Sequence, residues 1–213
     1  VSDSFMLATR IRMSRSEFEQ WLDTPAPDPS AITNPDAVFD GWYWDGKPAD
    51  WQHADIGTTP REYFSGAVEY GDRSFLICVY REGALEAYLM QFGFCEADFY
   101  TGLLLFTAAG RLSSEPGPAT VLFWAETSGA LREPSWDGWL STLSVGSAGA
   151  AFSRDVELSG VIEDLRTVEA RFFDLVGRLS AIEENPDTGG RVDYREFALD
   201  PLFFDQAILA DES

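Results

Sequence analysis

Residues 159–183 carry apolar side chains at Val161, Leu165, Val168, Phe172, Leu175, Leu179 and Ile182, in alternating steps of four and three. That spacing returns to one side of an α-helix at every turn, so it predicts a long helix with a single apolar stripe. Such a stripe is stable only when covered, because helices in water draw most of their stability from tertiary packing. Neighbouring polar residues such as Glu169 are expected in solvent. The rest of the chain must therefore supply a surface broad enough to receive the stripe.

The middle of the sequence offers one. The run SFLICVY, a tight REG turn and the run ALEAYLMQF predict a β-hairpin. In its second strand Leu85, Ala87 and Leu89 alternate with Glu86, Tyr88 and Met90. A further strand is predicted at 4–13, where Phe5, Leu7, Ile11 and Met13 share a face and Arg10 and Arg12 lie on the other. Others are predicted in AVFDGWYW and TVLFWAET. Helices are predicted in SRSEFEQWL, where Ser14 and Glu17 form a capping box, and in TTPREYFSGAVEYG, where Thr59 precedes Pro60. CEADFYTGLLLFTAAGRL reads as a helix ending near Gly110, and PSWDGWLSTL as a short helix begun by Pro134. SVGSAGAAFS reads as a flexible loop, and DPLFFDQAIL as a short helix or a docked irregular tail. Mixed helices and hairpin-linked strands predict an α+β fold: a central antiparallel sheet with flanking helices, in a single domain spanning 1–213.

Charge narrows the function. With 36 acidic and 15 basic residues the formal charge is −21, which disfavours phosphate backbones and anionic membranes and favours a basic partner. Lysine occurs once, at Lys47, so no phosphate-loop lysine is present. The N-terminal VSDSFMLATRIRM lacks the basic start and apolar run of a signal peptide, and FYTGLLLFTAAG is too short to span a bilayer. A cytoplasmic protein is expected. Cys78 and Cys95 sit among apolar neighbours and are expected to be buried, inert thiols.

The stretch NPDTGGRVDYREF at 185–197 has the outline of a calcium loop, with Asn185, Asp187, Gly190, Asp193 and Glu196 at the first, third, sixth, ninth and twelfth positions. Gly189 at the fifth position offers no side-chain oxygen, and no second loop of this form occurs. A helix stop at Asn185 and Pro186, a Gly-Gly turn and a strand RVDYREFAL with Val192 and Tyr194 are expected instead of a metal site. Catalytic motifs are lacking. The single histidine, His53, accompanies no nucleophile elbow and no zinc spacing, and it is expected to be structural. No cofactor is expected.

One segment stands out as a candidate interface. In FDGWYWDGKPADW and the residues after it, Trp42, Trp44 and Trp51 are interleaved with Asp40, Asp45, Asp50 and Asp55. Aromatic anchors ringed by carboxylates suit a basic protein partner. A strongly acidic α+β chain rich in Trp and Phe, with hairpins and flanking helices, resembles the immunity proteins of bacterial toxin systems. These include the inhibitors of contact-dependent and type VI secretion effectors. The resemblance implies a non-enzymatic cytoplasmic protein that binds and neutralises one cognate toxin. Two other readings remain: a hydrolase using a carboxylate pair, and an acidic nucleic-acid mimic that occupies a DNA-binding protein.

Overall fold

A computed structural model describes residues 5–40, 46–69, 74–91, 95–125, 140–185, 187 and 192–210. Its centre is one antiparallel sheet of six strands: β1 (Phe5–Arg12), β2 (Ser74–Arg81), β3 (Ala84–Gln91), β4 (Ala119–Ala125), β5 (Leu140–Gly146) and β6 (Gly149–Phe152). The spatial order is β2-β3-β1-β4-β5-β6, so the N-terminal strand lies inside the sheet, between β3 and β4. The predicted hairpin is present, with Arg81 opposite Ala84. Its two-residue turn places Glu82 and Gly83 at φ 49° and 73°, the left-handed pair that matches strand twist. The α+β architecture is as expected.

Helices cover both faces. On one lie α1 (Arg15–Leu22), α2 (Pro60–Glu69) and α3 (Glu96–Leu112). Phe5, Leu7, Ile11, Phe123 and Leu143 of the sheet meet Phe18, Trp21, Phe64 and Phe106 there, all buried. Trp21 Nε1 donates to Leu105 O at 2.8 Å, so the indole brings its one donor into the core satisfied. The expected capping box forms between Ser14 and Glu17, and Thr59 and Glu62 form a second one. Helix α3 runs past Gly110 to Leu112, because that glycine is there for contact and not as a stop. A Cβ at Gly110 would stand 2.6 Å from Val145 Cβ, so glycine lets the helix lie directly on β5.

The other face carries the striped helix, α4 (Leu158–Glu183). Leu165, Val168, Phe172, Leu175 and Leu179 are buried against Met6, Ala8, Ile77, Tyr88 and Leu122. Ile162, one residue beyond Val161, heads the buried face. Because α4 covers the hairpin, the Glu86 side of β3 is buried too. Glu86 is 3% exposed and accepts Arg10 Nε at 3.1 Å and Arg171 Nη2. Glu169 was expected in solvent, but it is folded in and paired with Arg166 at 2.7 Å.

Several local expectations are corrected. Within AVFDGWYW, Pro35–Phe39 forms a 3-10 helix and not a strand; residues 41–45 lie outside the described set. Of PSWDGWLSTL, 134–139 lie outside it, and the end is β5 and not helix. The small-residue run SVGSAGAAFS is the β5–β6 hairpin, with Gly146 opposite Gly149. RVDYREFAL holds a helix, α5 (Tyr194–Ala198), in place of a strand, with Asp193 capping Arg195 N. Helix α6 (Gln206–Leu209) follows in the tail. Cys78 is buried as expected, and burial pushes its thiol pKa well up, but Cys95 is exposed. Among the described residues no helix is long and apolar enough to cross a membrane.

Candidate functional site

The aromatic and acidic segment is organised by the first turns of α3. Phe39, at the end of the 3-10 turn Pro35–Phe39, stacks on Phe99 with ring centroids 6.2 Å apart and meets Tyr100 edge-on. A second 3-10 turn, Trp51–His53, packs on the same helix: Trp51 lies 4.6 Å from Tyr100 and 6.5 Å from Phe152. Its Nε1 donates to Pro35 O at 3.1 Å, which joins the two turns. Two backbone donors complete the attachment. Asp50 N donates to Tyr100 Oη at 3.0 Å, and Asp55 N donates to Thr101 Oγ1 at 2.9 Å. Main chain bound to buried α3 side chains holds this loop in one shape.

The carboxylates of the segment point outward from that support. Asp40 and Asp55 are exposed, and the Asp50 side chain is 43% exposed. Of the seven residues singled out from the sequence, Asp50, Trp51 and Asp55 are thus attached to Tyr100 and Thr101 of α3, and Asp40 follows Phe39, which stacks on Phe99. Trp42, Trp44 and Asp45 lie outside the described residues. Trp51 is half-buried, its ring serving the attachment of the loop while one part reaches solvent.

The structure adds members that the sequence reading passed over. Lys47 Nζ reaches Glu96 Oε1 at 2.8 Å. His53 Nε2 lies 3.4 Å from Asp50 Oδ2 and 3.5 Å from Glu96 Oε2. His53 therefore bridges loop and helix at the surface, between two acids and not in the core. Burial raises the Tyr100 hydroxyl pKa, and the nearby Glu96 and Asp50 charges add to the rise against the bond from Asp50 N. Tyr100 remains a neutral acceptor for the loop at physiological pH. Glu96 could have been suspected from sequence, as an acid in the first turn of a predicted helix. Its closeness to Lys47 and His53 depends on a contact between segments almost fifty positions apart, which local patterning does not carry.

Chemically, the surface is a set of acceptors on a rigid base. Asp40, Asp50, Asp55 and Glu96 can take hydrogen bonds from lysine or arginine side chains, with the edge of Trp51 beside them. Among the described residues no group of three or more His, Cys, Asp or Glu is placed to share a metal ion. In the 185–197 stretch, Asn185 Oδ1 accepts Asp187 N and Asp193 Oδ1 accepts Arg195 N, so both oxygens serve local turns. Compared with known proteins, the chain matches no family model, no curated protein and no solved structure.

Proposed function

We propose that the chain is a non-enzymatic immunity protein, which binds a basic protein toxin in the cytoplasm and blocks it. The observation that carries this reading is the fixed attachment of Asp50, Trp51 and Asp55 to α3. Tight binding requires that little freedom be lost on association, and a loop already bonded to a buried helix loses little. The charge of −21 supports it in a second way, by drawing a cationic partner toward the surface from a distance.

The test is made in cells and with purified protein. Where the adjoining gene encodes a toxin, bacteria producing it should resume growth when this chain is co-produced. The two proteins should then co-purify in a fixed ratio that high salt dissociates. Continued growth arrest, with no complex at low salt, contradicts the proposal. Turnover of a glycoside or ester substrate by the purified chain alone would favour the hydrolase reading.

A further inference from the structure

A cleft among the described residues is lined by none of the residues of the candidate face. It encloses about 450 Å³, within the range typical of small-molecule sites. Helix α4 packs on β1, β2 and β3. The cleft opens where its first two turns, the ends of β1, β4 and β5, and the 113–118 loop come together.

Its charges are arranged by wall. Arg10 and Arg12 stand on the strand floor, two residues apart and so on the same side of β1, about 7 Å from each other. Arg10 commits its Nε to Glu86, while Arg12 makes no hydrogen bond or ion pair through its side chain among the described residues. Glu157 and Asp164 stand on the helix wall and Glu115 on the loop. Asp164 likewise has no ion pair among the described residues. In a chain where most described arginines are paired with acids, this cleft is lined by both signs of charge, with Arg12 and Asp164 left outside any ion pair among the described residues. Gly160 lines the same wall, and a Cβ built there meets nothing within 4 Å, so a larger side chain at this position would extend into open space.

We propose that this cleft binds a small zwitterion of the amino-acid or dipeptide class. Its carboxylate bonds to Arg12 and the outer edge of Arg10, its ammonium group faces Asp164 and Glu157, and its side chain lies against Val156, Val161 and Pro118. A simple anion would meet three carboxylates in the same cleft. A simple cation would meet two guanidinium groups. A molecule carrying both charges satisfies both walls.

The inference is independent of the proposed toxin binding, and its test uses the chain alone. Thermal shift and titration calorimetry would be run with the standard L-amino acids and glycylglycine, each at about 10 mM, which saturates a site of sub-millimolar affinity. Sodium acetate and ethylammonium chloride at equal ionic strength supply the single-charge controls. At least one zwitterion should raise the melting temperature, and neither control should. Arg12→Gln and Asp164→Asn should each weaken that binding about tenfold or more, as the loss of a charge-assisted bond does. Gly160→Leu should abolish binding by filling the cleft. Without ligand that variant should melt no lower than the parent, since leucine favours the helix, so its loss of binding would not reflect unfolding. No shift with any zwitterion would overturn the proposal. So would an equal shift with acetate, or binding retained in Gly160→Leu.

Discussion

Single side chains decide how firmly α4 is held. Phe172 is fully buried, with its ring 4.5 Å from that of Tyr88. Removing such a ring typically costs about 3–5 kcal/mol, transfer and cavity together. Phe172→Ala should lower the denaturation midpoint strongly, while Glu163→Ala, an exposed position on the same helix, should change it by less than about 0.5 kcal/mol. Similar small effects at both sites, measured by urea unfolding, would show that the stripe is not core. Beside Phe172 the apolar contact is interrupted by Glu86 with Arg10 and Arg171, and Arg171 Nη1 has no hydrogen-bond partner among the described residues. Taking these charges out of water is expensive, and their pairing offsets that cost without adding much net stability.

Among the elements, the edges of the sheet are closed by short segments that the sequence does not announce. At β6, Thr33 N donates to Ala150 O, and the Asn34 side chain exchanges two bonds with the Phe152 main chain. At β2, Cys78 N donates to Phe203 O and Asp205 N to Cys78 O, so the C-terminal segment lies along the edge like a short strand. Covering the open main-chain groups in this way protects the sheet from pairing with another copy. Asp205 fastens the segment by accepting Arg15 Nη1 at 2.6 Å, Tyr80 N and Ala207 N. Burial pushes its pKa up, but the Arg15 bond and the two main-chain bonds together bring it below the ordinary value. Its contribution is therefore full above about pH 3.9, the value in an unfolded chain, and is lost as pH falls through the lower folded value. Asp205→Asn should lower the melting temperature at pH 7 by about 2–8 °C, and the gap from the parent should close in strong acid. A gap that persists there would mean that the charge is not the cause. What could be read from sequence at this scale was whatever local chemistry determines: the stripe of α4, the Ser14 box, the Thr59-Pro60 helix start, the Glu82-Gly83 turn. What could not be read was determined by partners far along the chain. The small residues of β5 and β6 have weak strand preference, and they become strands by pairing with β4 and with each other. Helix α5 did leave a sign, since Asp193 and Glu196 have capping-box spacing, but the apparent alternation of Val192 and Tyr194 obscured it. With Asp193 engaged as a cap, adding millimolar calcium should leave the melting temperature unchanged. A rise of several degrees that Glu196→Gln removes would contradict this.

At the scale of the whole molecule, a two-sided core supports a surface of strongly negative charge. The acidity of the candidate face could be read from composition and from Asp40, Asp50 and Asp55 in sequence. Its support could not, because Tyr100, Thr101 and Glu96 come from a different element. The half-buried state of Trp51 follows from the same support and leaves the carboxylates as the groups most available to a partner. Charge placed this way acts mainly on the rate of encounter, and salt screens it. The most direct test of toxin recognition through this face is the association rate between the chain and the toxin whose growth arrest it relieves. It should be followed by stopped flow for the parent, Asp50→Lys and Asp55→Lys, at low and at high salt. The account predicts that both variants associate about tenfold or more slowly at low salt, that the difference shrinks as salt rises, and that all three melt alike. Equal association rates for the three proteins at low salt would contradict it.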